Sequence, residues 1–288
     1  MPNKLAELLT VTEAARTGDD RITYTAVIDP VFTIGSKVHG GSLQMLVSYA
    51  ASEALTALAP GDGSATDGLA ATKIPVAIAS DYLSAPSPAE ITLDITIRKR
   101  GRTVTVMSVD AIQDGRTMVA SSVTLARPDT GPSHHSGPTL LDDVPAEPVA
   151  DGMALAGSPV EKFNHLGGAL ELVLDPGPAA FIRGEQGDPV VHGWVRPRGT
   201  EPDVNFAVLV GDISLPVVAN LGLAGWAPTV QLTTYVRRRP APGWLRFAAS
   251  SMEVGPGMFE EDHVVVDSTG TVVAQSRQLA LIPATPRR

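Results

Sequence analysis

The chain has 288 residues, 43% of them hydrophobic and 18% charged, with a formal net charge of −9. That length allows about two domains of ~150 residues each, the balance is that of an ordinary globular protein, and the negative charge disfavours non-specific binding of nucleic acid. With no cysteine in the sequence, disulfides, zinc–thiolate sites, iron–sulfur clusters and cysteine nucleophiles are excluded, and a reducing, cytoplasmic setting is expected. The start, MPNKLAELLTVTEAARTGDD, lacks the basic residues and apolar run of a signal peptide. No window approaches ~18 uninterrupted apolar residues, so no membrane span is expected.

After an amphipathic lead (Leu5, Leu8, Leu9, Val11), residues 21–28 alternate as a strand does, and Asp29-Pro30 closes it, because the residue before proline is pushed out of helical geometry. VHGGSLQMLVSYAASEALTALAPG is apolar nearly all round, which predicts a buried helix opening at Gly40-Gly41-Ser42 and stopping at Pro60-Gly61. GDGSATDG reads as a loop, and residues 73–82 as the next strand. Leu93, Ile95 and Ile97 alternate, the chain turns at Arg98-Lys99-Arg100-Gly101, and residues 104–110 return. Asp114-Gly115 makes a second hairpin into residues 117–125, since Asp-Gly supplies the positive φ angles of a tight turn. Residues 128–159, rich in Pro, Gly, Ser and acids, read as a linker wrapped over the surface.

The second half parallels the first. GALELVLDP resembles ITYTAVIDP, IPVAIASDY lies over APTVQLTTY with Pro75 on Pro228 and Tyr82 on Tyr235, and VASSVTLA lies over VAQSRQLA. The helices align as MLVSY over VLVGD. Matches in the same order point to a duplicated unit, each an antiparallel sheet wrapped around one long helix in an α+β arrangement. The expected organisation is a repeat at 1–127, the linker at 128–159 and a second repeat at 160–288. Two such units paired edge to edge make a double hot dog fold.

The halves disagree at an informative set of positions. Opposite Asp212 stands Tyr49, opposite Thr229 stands Val76, and opposite Gln278 stands Thr124. Asp212 is a lone acid among Val208, Leu209, Val210, Ile213, Leu215, Val217 and Val218, and a buried carboxylate must be paired, protonated or put to work. An acid, a hydroxyl and an amide together can hold a water, the acid taking its proton as general base. Attack of water on an acyl group is the reaction class this set suits. Read singly, Asp212 could cap or pair with an arginine, Thr229 could be an ordinary strand-start threonine, and Gln278 could face solvent.

The pattern GDISLPVV, PTVQLT and AQSRQLAL, with the helix HGGSLQMLVSYAA, resembles the acyl-CoA thioesterase II family of double hot dog enzymes over nearly the whole chain outside the linker. The resemblance implies hydrolysis of acyl-CoA to free fatty acid and CoA without a cofactor or metal, the catalytic water being oriented by Asp212, Thr229 and Gln278. It implies substrate contacts at Gly40, Gly41, Ser42 and Tyr49, acyl-CoA as the partner, and assembly into a homo-oligomer. Two departures are Gln231, where the family often has an acid, and an extra basic residue before Pro240; Thr233 and Thr234 are the alternatives to Thr229.

Gly40-Gly41 has two readings: backbone donors that polarise the thioester carbonyl, or room for close packing. His39 reads as structural. No G-x-S-x-G occurs, so a serine triad fails; His134-His135 lack metal-ligand spacing; Asp62 and Asp67 are too few for calcium. The basic runs Arg98, Lys99, Arg100, Arg102 and Arg237, Arg238, Arg239 are either CoA-phosphate contacts or charged guards on sheet edges. Two rival functions remain: an enoyl-CoA hydratase-type enzyme, which wants an acid–histidine pair, and a non-catalytic acyl-CoA-binding protein.

Overall fold

The computed structural model describes residues 3–59 and 72–283; the helix stop at Pro60-Gly61 and the loop GDGSATDG lie outside the described residues. A short helix α1 (Lys4–Leu8) precedes strands β1 (Thr12–Thr17) and β2 (Arg21–Val27). A two-stranded ribbon, β3 (Thr33–Ile34) with β4 (Lys37–Val38), leads into the long helix α2 (Gly40–Ala57). Strands β5 (Ile74–Tyr82), β6 (Glu90–Lys99), β7 (Val104–Gln113) and β8 (Arg116–Ala126) follow. Beyond residue 126 come β9 (Met153–Ala154), β10 (Leu170–Leu174), β11 (Val190–Pro197), the short helix α3 (Val204–Val210), β12 (Thr229–Val236), β13 (Leu245–Ser250), β14 (Met258–Val266) and β15 (Val272–Leu281).

Among the described residues these strands form one 13-stranded antiparallel sheet in the order β1-β2-β6-β7-β8-β5-β12-β15-β14-β13-β11-β10-β9. Counted outward from the centre the two series match, β5-β8-β7-β6-β2-β1 on one side and β12-β15-β14-β13-β11-β10 on the other, with β9 added beyond β10. The two series meet where β5 pairs with β12. A buried polar group crosses that seam. Gln44 on α2 donates to Ser80 Oγ at 3.1 Å and to Leu232 O at 3.2 Å, and accepts from Thr234 Oγ1 at 2.6 Å.

The strands form because their apolar residues alternate. In β6, Ile91, Leu93, Ile95 and Ile97 are buried, and in β7 Met107, Val109 and Ala111 are, each set pointing to one face as the two-residue strand period requires. The hairpin between β7 and β8 turns at Asp114 and Gly115, whose φ angles are 52° and 70°. Helix α2 starts where the His39 ring caps Ser42 N at 3.1 Å. It buries Leu43, Met45, Leu46, Val47, Ala50, Ala51 and Ala54 against the inner sheet face and α3.

Several expectations change. The second half has no long helix through Asp212: α3 ends at Val210, Gly211 caps it, and Asp212 opens an irregular loop ahead of the 3₁₀ turn Val217–Leu221. Proline at 216 cannot donate a helical hydrogen bond, which is one reason regular α-helix cannot run through it. Strand β11 was not foreseen. By position in the sheet it, and not GALELVLDP, stands where β2 stands; GALELVLDP forms β10, which stands where β1 does. The linker does more than cover surface: Leu141 and Val144 pack in a small core with Trp194, Trp244 and Val266, Pro145 O accepts the Trp194 indole N–H at 2.8 Å, and β9 extends the sheet edge.

Candidate active site

Asp212 is held by contacts from α2, α3 and β15. Asp203 caps α3, accepting Phe206 N at 2.8 Å, and the helix delivers the chain to Gly211, whose carbonyl accepts from Ser276 Oγ on β15. The Asp212 carboxylate then meets the start of α2 and accepts the Gly41 backbone N–H. His39 Nε2 lies 2.7 Å from Asp212 O and 3.7 Å from its Oδ2. Since His39 Nδ1 accepts Ser42 N, Nε2 carries the proton and donates to the Asp212 carbonyl.

The approach is too close for side chains. A Cβ at Gly40 would stand 2.7 Å from Asp212 Oδ2; one at Gly41 would stand 2.6 Å from Leu209 O and 2.9 Å from Asp212 Cβ. The paired glycines therefore let the helix start abut the acid. Gly41 N–H serves the protein's own carboxylate, and the positive end of the helix favours the charged form of Asp212.

Opposite lies a second arm. Thr229, at the start of β12, donates its hydroxyl to Gln278 Oε1 at 2.9 Å. Gln278 on β15 donates through Nε2 to Glu261 Oε1 at 3.3 Å. Glu261, on β14 and fully buried, also accepts Ser214 Oγ at 2.5 Å and Val217 N at 3.0 Å. His263 Nε2 stands 3.0 Å from Ser214 Oγ and 3.4 Å from Glu261 Oε1.

Both arms contribute to one cavity of about 530 Å³, whose lining includes Asp212, Thr229, Gln278, Glu261, Ser214, His39 and Gly40. Ile34, Phe163, Ile213, Leu215, Pro216 and Trp226 line the rest. The setting is low in dielectric, and it shifts every ionisable group in it. Burial raises Asp212 to about 7, the Gly41 N–H pulling the other way. Burial raises Glu261 to about 7 as well, against the donors Ser214, Val217 and Gln278 and with the Asp212 charge adding to the rise. Burial lowers His39 to about 4 and His263 to about 3, so both rings are neutral at pH 7. Desolvation is the leading cause in all four.

Of the residues expected from the sequence, Asp212, Thr229, Gln278 and Gly40 are thus brought to one cavity, with Gly41 and Ser42 directly behind Gly40 in the first turn of α2. Tyr49 is not among the residues lining that cavity; it lies farther along α2, beside Glu53 and near Tyr24. Of the alternative threonines, Thr234 is buried against Gln44 and Thr233 opens on an outer groove with Tyr235 and Arg277. Neither basic run contributes a residue to the cavity lining. Although no histidine is near Asp212 in sequence, His39 reaches it from α2 in three dimensions. Glu261, Ser214 and His263 were missed. The alternation in MFEEDHVVV buries Phe259, Glu261, His263 and Val265, and an acid in step with those apolar residues is the signal by which Glu261 could have been found.

Residues 28–126 match the acyl-CoA thioesterase N-terminal domain, and residues 141–282 match the acyl-CoA thioesterase C-terminal domain. The chain is 39% identical over 273 residues to the uncharacterized protein Rv0499 of Mycobacterium tuberculosis, covering 88% of each. It superposes on a provisionally named thioesterase II from Thermobifida fusca YX with TM-score 0.77 and 25% identity, covering 99% of both chains. A hot dog protein of unknown function from Alicyclobacillus acidocaldarius superposes with TM-score 0.76 and 17% identity, over 99% of this chain and 100% of that one. The fold is a hot dog fold. No helix among the described residues is long and apolar enough to cross a membrane.

Proposed function

The chain belongs to the acyl-CoA thioesterase family, and from that premise we propose that it hydrolyses acyl-CoA to free fatty acid and CoA by direct attack of a water held by Asp212, Thr229 and Gln278. The observation that carries this reading is that these three residues, from a loop and two strands far apart in sequence, line one cavity. We take the mirrored strand order as the trace of a duplicated unit, a double hot dog, in which the second half keeps the reactive set.

The hydrogen-bond directions assign each residue a task. Thr229 spends its proton on Gln278, so its oxygen turns lone pairs to the cavity and accepts one proton of the water. Gln278 uses one amide N–H on Glu261 and has a second to donate to the water oxygen. Asp212 accepts the remaining water proton as general base. The water oxygen then forms its bond to the thioester carbonyl carbon, the carbonyl becomes an oxyanion near the positive start of α2, and collapse breaks the C–S bond. The proton held by Asp212 returns to the departing CoA thiolate, which leaves the acid, free CoA and the resting carboxylate.

The experiment is a thiol-release assay over acyl-CoAs of graded length, with Asp212→Asn alongside. Removal of a general base typically costs ~10²–10⁴-fold. A second reading, hydration of enoyl-CoA, is favoured by the 3.7 Å approach of His39 to Asp212. Loss of enoyl absorbance without thiol release would select it, and tight acyl-CoA binding with neither change would select a non-catalytic carrier.

A further inference from the structure

Glu261 has no task in the reaction as written, although it is a fully buried carboxylate on the cavity wall. Its three hydrogen-bond partners are all donors: the Ser214 hydroxyl, the Val217 backbone N–H and the Gln278 amide nitrogen. Donors thus fill both oxygens, which suits an ionised carboxylate, a group that only accepts. Ser214 lies in the loop that Asp212 opens, Val217 starts the 3₁₀ turn that follows it, and Gln278 belongs to β15. The carboxylate therefore joins the base-bearing loop to the strand that carries the amide.

From this geometry we infer that Glu261 is a positioning residue for the hydrolytic water: its carboxylate fixes which way the Gln278 amide points, and through Gln278 which way the Thr229 hydroxyl points. The inference rests on the hydrolase reading for its kinetic consequence, but the orientation itself does not need it. A Gln278 amide turned end for end would aim its carbonyl at Glu261 Oε1, acceptor against acceptor, and its nitrogen at Thr229. Thr229 would then lose the acceptor for its proton, and the lone pairs that hold the water would turn away. The bias depends on Glu261 being charged, because a protonated carboxyl can donate to the turned amide as readily as it accepts from the native one.

The groups facing Glu261 leave that charge without a cationic partner. From the loop come Asp212, an acid, and Ser214; from β15 comes Gln278; from its own strand comes His263, with Asp262 on the reverse face; and His39 lies across the cavity. Both histidines are held neutral by burial. Two carboxylates in one cavity must therefore both be ionised for the water to be held and deprotonated.

The test has two arms. In the first, log kcat of the wild type against pH should fall on its acid side with a slope steeper than one, since protonating Asp212 removes the base and protonating Glu261 releases the Gln278 amide. Glu261→Gln should lower kcat about 10²-fold, the scale of a misplaced reacting group, reduce the slope to one, and move the midpoint to lower pH because the acid beside Asp212 is gone. A slope of one in the wild type overturns the inference, as does Glu261→Gln with the wild-type slope. The second arm uses no substrate: in ¹⁵N-labelled wild type the Gln278 side-chain amide signals should shift with pH as Glu261 ionises, and stay flat if Glu261 does not orient the amide. A wild type that releases no thiol but shows the titrating amide would sink the hydrolase reading and leave the positioning intact. If Glu261→Gln does not fold, the wild-type slope and the amide titration still decide.

Discussion

Replacing Asp212 by asparagine should disable the protein and make it more stable, and the second effect can be worked from the structure. The carboxyl is raised from 3.8 to about 7, with burial as the leading cause. The unfolded chain therefore ionises Asp212 at lower pH than the folded one. For a raised acid the stabilising contribution is complete below the unfolded value near 4 and is lost as pH climbs toward the folded value near 7. Three units at about 1.4 kcal/mol each amount to about 4 kcal/mol of stability forgone at pH 8. Asparagine has nearly the same shape and does not ionise, and its oxygen can still accept the Gly41 N–H. The gap in unfolding free energy between Asp212→Asn and wild type should be small below pH 4 and reach about 4 kcal/mol at pH 8, on the order of 10 °C in Tm. Urea denaturation at pH values from 4 to 8 measures it directly. Glu261 contributes a slope in both proteins, a smaller one in Asp212→Asn because the Asp212 charge that adds to its rise is gone, and that change widens the gap in the same direction. A gap that does not grow with pH would refute the claim that Asp212 is held as a costly, desolvated acid.

Other consequences follow from single contacts. Gly41→Ala places a methyl 2.6 Å from a backbone oxygen and 2.9 Å from Asp212 Cβ; it should lower Tm by several degrees and cut thiol release, both readable on the purified variant, because backbone cannot yield cheaply. Thr229→Val keeps the shape and removes the hydroxyl, so kcat should fall at least ~10-fold with little change in KM, as expected for an interaction that acts on the attacking water. Thr234→Val leaves Gln44 Oε1 without its 2.6 Å donor, so its effect should fall on stability, about 1–3 kcal/mol by denaturation, with kcat largely retained.

Much of this architecture was legible because it rests on short-range periodicity. The alternation of β6 and β7, the Asp-Gly hairpin and the apolar girdle of α2 follow from local rules, and each appears where the residues place it. The second half was harder to read. Val204–Val210 and the residues after Asp212 form one apolar run in sequence, yet Gly211 and Pro216 interrupt the helix, and the carboxylate sits in the break. Asp212 was singled out as a lone acid among apolar neighbours, an argument that holds in a helix or a loop alike. Glu261 escaped because the MFEEDHVVV strand carries half-buried Glu260 and Asp262 on either side, and one buried acid among three is visible only once the strand's facing is fixed. Likewise His39 and Asp212 are 173 positions apart, and only the packing of the α2 start on the α3 loop brings them together. Tyr49 was paired with Asp212 by laying helix over helix. Since the second helix stops at Val210, that alignment matches a helical turn with a loop.

The most direct measurement is free-thiol release from acyl-CoA by wild type and by Asp212→Asn under one set of conditions, with the fold of both checked by circular dichroism. The account predicts turnover by the wild type with at least one chain length and a loss of ~10²-fold or more in a folded Asp212→Asn protein. A folded Asp212→Asn protein that releases thiol at the wild-type rate would contradict it.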